Sequence, residues 1–434
     1  MLMNRLFYFI ILSTLVLSGC EKNFLKVQQP GVVTVSTTKD YDMLLNSNAV
    51  TSFFQWPMLC LNDNFEFAAS NAPTGPSGMI YTWQNQPYQE DDPALWSMPY
   101  KSIYYANLVL NEVENSIGGS ADEKTRLKAE ALLQRAYMHF VLLQLYAKPY
   151  NAATAASDPG VPFVEQTDMY GKNPGRSTVA AVYQRIIADI EKAIPDLPTT
   201  NIQTIRGSKA AAHATLARIY LHMKNYDKVI THADAALAIK SNLLDYSPAT
   251  FTAPAFANNA EFFYLRMVTE MDHPYKAVLT PNANALLTAT DSRRRIFVGR
   301  FGYSPFYSHF GITVPEVMLC KAEALVRKAS PDLSSALGII NKLNKNRDRN
   351  HTDLSSTDQE QVLTWTLDEK RRELLPSGLR WFEMRRLASE GRTPMVTRKV
   401  GTLTYTLEPD SKKYTLMIPS SVIRFNEGMP QNER

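Results

Sequence analysis

Three groups of residues in this sequence have the types and spacing to do chemistry. The first is aromatic. Trp56, Tyr81 and Trp83, then Tyr303, Phe306 and Tyr307, fall in segments rich in Gly and Pro, with Asn62, Asp63, Asn64, Asn85 and Gln86 close to the first set. A sugar ring presents a face of C–H groups that stacks on an aromatic plane, and its hydroxyls then need amide or charged partners. Trp56, Tyr81, Trp83, Asn85, Tyr303 and Tyr307 are therefore candidate ligand contacts. The second group is the charged run Arg371, Arg372, Glu373, Arg380, Trp381, Glu383, Arg385 and Arg386. It could hold an anion, but helical spacing favours packing. Trp381 and Arg385 are i and i+4, so the guanidinium can lie on the indole, and Asp368 can pair with Arg372 in the same way. Arg372, Arg380, Trp381 and Arg385, with Trp96 at a core-helix spacing, are read as structural. The third group is Cys20. Arg5 precedes an apolar stretch over residues 6–17, and Leu17-Ser18-Gly19 puts small residues just before the cysteine. That lipobox pattern predicts a signal peptide over 1–19 and lipidation of Cys20. The run falls short of the roughly 20 apolar residues a membrane span needs.

Signatures of catalysis are missing. There is no Gly-rich phosphate loop, the seven histidines form no His-Glu-x-x-His, and Gly302-Tyr303-Ser304-Pro305-Phe306 lacks the closing glycine of a nucleophile elbow. Glu90-Asp91-Asp92 could bind calcium, although capping a helix at Pro93 accounts for it. No spacing selects the opposed carboxylates of a glycosidase. The expectation is a non-enzyme with no cofactor and no metal. With 46 basic against 42 acidic residues, the charge balance argues against nucleic acid. Besides Cys20 only Cys60 and Cys320 occur, so no disulfide framework is built, and a bridge between those two is left open.

The elements that must position these residues are helical. Asp92 and Pro93 suit the start of a helix through Val109, and Gly118-Gly119 stops it. Residues 122–146 are apolar on most sides, with Lys128, Arg135 and His139 as one polar stripe, which describes a mostly buried helix ended by Pro149. Ser177 is a candidate cap for a helix through Ile194. Residues 209–240 carry a tetratricopeptide pattern, with Ala217, Tyr220, Ala233 and Ala236 at the close-approach positions, and 315–347 repeats it more loosely. The pair over 122–194 follows the same hairpin logic. Stacked hairpins share one core and form a scaffold for binding. Residues 51–91 and 248–312 do not fit the repeat. The first contains Asn71 to Gly78, a run unable to continue a helix, and both are read as irregular excursions. The fold expected is all-α dominated: tetratricopeptide-like helical hairpins packed against an irregular, loop-rich lobe.

Three segments carry a specific likeness. Leu367 to Leu387 has an Arg-Arg-Glu, a Gly-containing turn, then Arg-Trp-Phe and Arg-Arg. The strand-like final stretch has Ile418-Pro419, Val422-Ile423, Asn426 and Gln431-Asn432. Leu95 to Glu114 places Trp96, Tyr100, Ile103 and Ala106-Asn107. The chain resembles the SusD/RagB family of outer-membrane lipoproteins over nearly all of 20–434, including a C-terminal segment at 367–434. The resemblance implies non-catalytic capture of an oligosaccharide or peptide by a protein held through Cys20 at the outer membrane, facing the exterior. It also implies handover to a SusC-like TonB-dependent transporter. The chain is shorter than that family's usual length, which implies trimmed ligand loops, and Glu21-Lys22-Asn23 replaces an acidic run after the cysteine. The alternative is a helical-repeat lipoprotein on the periplasmic side that serves as a protein–protein adaptor.

Overall fold

A computed structural model of the 434-residue chain describes residues 35–53, 56–84, 94–167, 174–268, 277–298, 309–375 and 377–434. Its body is built from α1 (Ala94–Glu112), α2 (Ala121–Tyr146), α3 (Val179–Ala193), α4 (Lys209–His222), α5 (Tyr226–Ile239), α6 (Val314–Arg327), α7 (Leu333–Lys345), α8 (Gln359–Glu373) and α9 (Arg380–Ala388). The helix starts follow side-chain chemistry: Ser120, Ser208, Asn225, Thr313, Asp332 and Asp358 each accept a hydrogen bond from a first-turn N–H. At α3 the cap is Thr178, whose Oγ1 accepts from the Ala181 N–H at 3.2 Å, and not Ser177 as expected. Asp92 and Pro93 lie outside the described residues.

Helix α2 runs between α1 and α3, α4 packs on α5, α5 on α6, and α6 on α7 and α8, so each hairpin covers the apolar face of the next. Small residues set the close approach: Ala217 of α4 and Ala233 and Ala236 of α5 are fully buried, and Tyr220 stacks on His232 with an 8° interplanar angle. The polar stripe of α2 divides. Lys128 pairs at the surface with Glu114, whereas Arg135 and His139 are buried and must find partners. Arg135 grips the Asp189 carboxylate at 2.7 and 2.8 Å. His139 Nδ1 faces the Arg135 carbonyl at 2.9 Å while Nε2 accepts from the Val164 N–H at 3.1 Å, which fixes the Nδ1–H tautomer.

Against this body lies a lobe of short pieces. Strand β1 (Phe262–Tyr264) pairs antiparallel with β2 (Ile312–Thr313), and β3 (Val396–Val400) forms a hairpin with β4 (Leu403–Leu407) through Gly401 at φ 59°. Two local expectations are corrected. The Asn71 to Gly78 run starts a helix, Gly75–Tyr81, because Pro76, which has no N–H, sits in the first turn, where an N–H would have no helical partner anyway. The strand-like end of the chain contains a short helix, Ser420–Phe425. Cys60 and Cys320 are buried free thiols, both pushed up to about 12 by burial.

Candidate functional site

Of the candidate aromatics, Tyr81 and Trp83 are not displayed at the surface. Tyr81 and Trp83 are each 1% exposed, which corrects the expectation that their loop displays them. Trp83 Nε1 donates to the Leu61 carbonyl at 3.0 Å. Its backbone sits at φ 52°, a left-handed conformation that a bulky residue adopts only when its surroundings impose it. Arg398 of β3 packs against the Trp83 ring. Its guanidinium lies 4.0 Å from the Tyr81 ring centroid and 4.2 Å from that of Trp83, and donates to the carbonyls of Cys60, Tyr81 and Asn62. One cation thus gathers three backbone carbonyls and two rings, and burial lowers its pKa to about 10. Trp56 opens the helix Trp56–Leu61. Cys20, Asn85, Gln86, Tyr303, Phe306, Tyr307 and Glu90-Asp91-Asp92 lie outside the described residues. Trp96 is buried, with the rings of Tyr100 and Tyr146 each 4.9 Å away.

The polar residues near the first aromatic set are also consumed internally. Asn62, Asp63 and Asn64 are at most 5% exposed. Asp63 receives Arg380 at 2.6 and 2.8 Å and Arg371 at 3.2 Å, and Asn64 Oδ1 accepts from Arg371 at 2.8 Å. Burial alone would raise the Asp63 carboxyl, but the adjoining Arg380 guanidinium outweighs it and holds the pKa at about 2. The rest of the charged run forms two further buried networks. Arg293 and Arg347 meet Asp291, Glu369, Glu373 and Glu261, while Arg386 and Lys370 meet Glu323 and Glu383. Their members are too enclosed to meet a soluble anion.

Two pairings differ from those expected. Arg372 joins Glu369 at 2.5 Å instead of Asp368, three residues back in the turn where α8 crosses Leu286. Trp381 stacks on Tyr414 at 5.1 Å, leaving Arg385 to donate to the carbonyls of Gln144 and Ala147. The reason is the end of α2, whose last carbonyls are buried and lack intrahelical partners. Arg385 takes that of Gln144 together with the carbonyl of the cap residue Ala147, and Asn432 Nδ2 takes that of Tyr146 at 2.7 Å. Gln431 pairs with the backbone of Ile418 through two hydrogen bonds of 2.8 Å, which positions Asn432. The Gln431-Asn432 ending is a helix cap delivered from the far end of the chain.

An open cleft of ligand size, with a volume of about 370 Å³, lies in the irregular lobe. Its floor is the bridge between residues 290–292 and 347–349: the Ser292 N–H donates to the Arg347 carbonyl at 2.9 Å, and Asp291 opposes Asp348. Ala249, Thr290, Ser292, Arg294, Arg295 and Arg349 line it. Sequence reading missed this site. The run Arg293-Arg294-Arg295 was a visible signal, but its members diverge: Arg293 is fully buried among carboxylates, and the next two reach the cleft. Among the described residues no group of three or more His, Cys, Asp or Glu could hold a metal ion, and no helix is long and apolar enough to cross a membrane.

Comparison with known proteins gives a consistent result. Residues 44–221 match a family model described as starch-binding, associating with outer membrane, and residues 314–434 match the SusD family. A SusD-like protein of Bacteroides ovatus is 28% identical over 162 residues, which is 36% of this chain and 27% of that relative, so the match spans about a quarter of the relative's length. A SusD superfamily protein of Bacteroides vulgatus superposes with a TM-score of 0.74 at 21% identity, covering 92% of this chain and 99% of that one. Surface glycan-binding protein A of Bacteroides uniformis does so with a TM-score of 0.67 at 15% identity, over 91% and 99%. At these identities the structural likeness establishes the fold.

Proposed function

The chain belongs to the SusD/RagB family, and we propose that it binds an oligosaccharide at the outer membrane without transforming it and passes it to a SusC-like TonB-dependent transporter. The observation that carries this reading is the match of residues 44–221 to a model described as starch-binding and outer-membrane-associated. Two features support it. The hairpin body is locked by buried ion pairs, which suits a rigid scaffold, and the cleft of about 370 Å³ lies on the irregular lobe where it can meet solvent. Lipidation of Cys20 would tether the protein beside the pore. Tethering raises the ligand's local concentration there, so modest affinity and fast release suffice. The test is calorimetric titration of the chain from Cys20 onward against a panel of oligosaccharides, with chromatography of the same mixtures. Binding with intact saccharide is the expected result. Shortened products would replace the reading with an enzyme, and protease shaving of intact cells that spares the protein would place it on the periplasmic face.

A further inference from the structure

The cleft lined by residues 249, 289–292, 294, 295 and 349 carries more positive charge than the carboxylates around it neutralise. We propose that it is a subsite for the anionic groups of an acidic oligosaccharide, one bearing carboxylates or sulfates. The proposal rests on the carbohydrate-binding reading above and narrows its ligand class. Most buried arginines of this protein, among them Arg293, Arg347, Arg380 and Arg386, meet carboxylates. The cleft arginines do not. Arg294 donates to Asn284 Oδ1 at 2.7 Å and to the carbonyls of Asn284, Leu287 and Thr288 at 3.1, 2.6 and 3.3 Å. Arg295 donates to the carbonyls of Phe251 and Pro248 at 2.9 and 3.3 Å. These acceptors are neutral, so they fix each guanidinium in place and leave its charge unpaired. The Arg349 side chain, exposed in the lining, has no hydrogen-bond or ion-pair partner among the described residues.

Two carboxylates lie nearby. Asp291, 4% exposed, is held by Arg293 at 2.8 Å, whereas Asp348 accepts from the neutral donors Thr288 Oγ1 at 2.8 Å and the Asn350 N–H at 3.0 Å, so it offsets one of the three cleft arginines and leaves a surplus of positive charge. The result is three cations around a space of about 370 Å³, two of them held in place before any ligand arrives. A planar guanidinium fork matches the paired oxygens of a carboxylate or sulfate, and such charge-assisted bonds are roughly twice as strong as neutral ones. The Ser292 and Thr290 side chains beside them suit sugar hydroxyls. A neutral glycan would leave the charges unmatched.

The experiment is titration of the chain from Cys20 onward with a galacturonate tetramer, a sulfated galactose tetramer and a maltotetraose control, each at low and high salt. One acidic tetramer is expected to bind about tenfold or more tighter than maltotetraose, roughly one charged contact's worth. That preference is expected to collapse at high salt. Which acidic tetramer binds names the anion. Arg349→Gln, which breaks no contact within the fold, is expected to weaken acidic binding severalfold with an unchanged melting curve, and Arg295→Gln is the second probe. Equal or better binding of maltotetraose, or acidic binding that ignores both substitutions, overturns the acidic subsite and leaves carbohydrate binding standing. If none of the three tetramers binds, the acidic subsite falls and the saccharide panel decides carbohydrate binding separately.

Discussion

Asparagine in place of Asp63 removes the one negative charge on which buried Arg380 and half-buried Arg371 converge. Asp63 is separated by 317 residues from Arg380, so the contact ties the turn after the helix Trp56–Leu61 to α9. Removing one partner of a buried pair costs about 3–5 kcal/mol, because the other charge stays desolvated and unmatched. The substituted amide would keep one carbonyl acceptor of similar shape, so the lower end of that range, about 3 kcal/mol at pH 7, is expected for Asp63→Asn. The pH dependence sharpens the test. The folded carboxyl titrates at about 2, below its ordinary 3.8, so its stabilisation is fully present above about pH 4 and is lost as pH falls toward 2. A shift of nearly two units corresponds to about 2 kcal/mol. Urea unfolding of both proteins at pH 7, 4, 3 and 2 measures this, since all other titrating groups are common to the pair and cancel in the difference. The difference should shrink by about 2 kcal/mol over the acid range. A difference under about 1 kcal/mol at pH 7, or one that stays constant down to pH 2, would refute the reasoning. The double variant Asp63→Leu/Arg380→Met should recover part of the loss but not all, because Arg371 also leans on Asp63 at 3.2 Å.

Trp83→Ala should act on stability, lowering it by about 3–5 kcal/mol in chemical denaturation, because the ring is buried and Arg398 stacks on it. Unchanged stability with weakened saccharide binding would return Trp83 to the ligand site. Two glycine substitutions should have opposite signs. At Gly311 a Cβ would collide with the Tyr264 carbonyl oxygen, so Gly311→Ala should force β1 and β2 apart and cost about 1–3 kcal/mol. At Gly338, exposed within α7 with nothing within 4 Å, Gly338→Ala should raise stability by about 1 kcal/mol. Thermal melts of the two variants decide both, and equal signs would contradict the packing described.

The hairpin body was legible because its signals are local. Ser120, Ser208 and Asp332 cap helices three residues before the N–H groups they satisfy, and Ala217, Ala233 and Ala236 repeat at the spacing that lets neighbouring helices touch. The family likeness was legible for a related reason, since Arg385 and Asn432 serve the end of α2 from fixed positions in short motifs. The candidate ligand site was not legible. A Gly/Pro-rich context marks a loop but does not say whether the loop's aromatics face outward, and Arg398, which draws Tyr81 and Trp83 inward, is over 300 residues away in sequence.

Periodicity and caps therefore determined from the sequence alone that this is a helical-hairpin protein, and the resemblance carried by its short motifs pointed to the SusD/RagB family. Tertiary structure decided which charges are matched. Asp63, Arg293 and Arg372 sit in similar polar contexts to Arg294, Arg295 and Arg349, yet the first three close on opposite charges and the last three do not. The physical reason is range. Helix propensity and capping act within a few residues, whereas the pairing of a charge depends on which distant segment folding brings within about 4 Å of it.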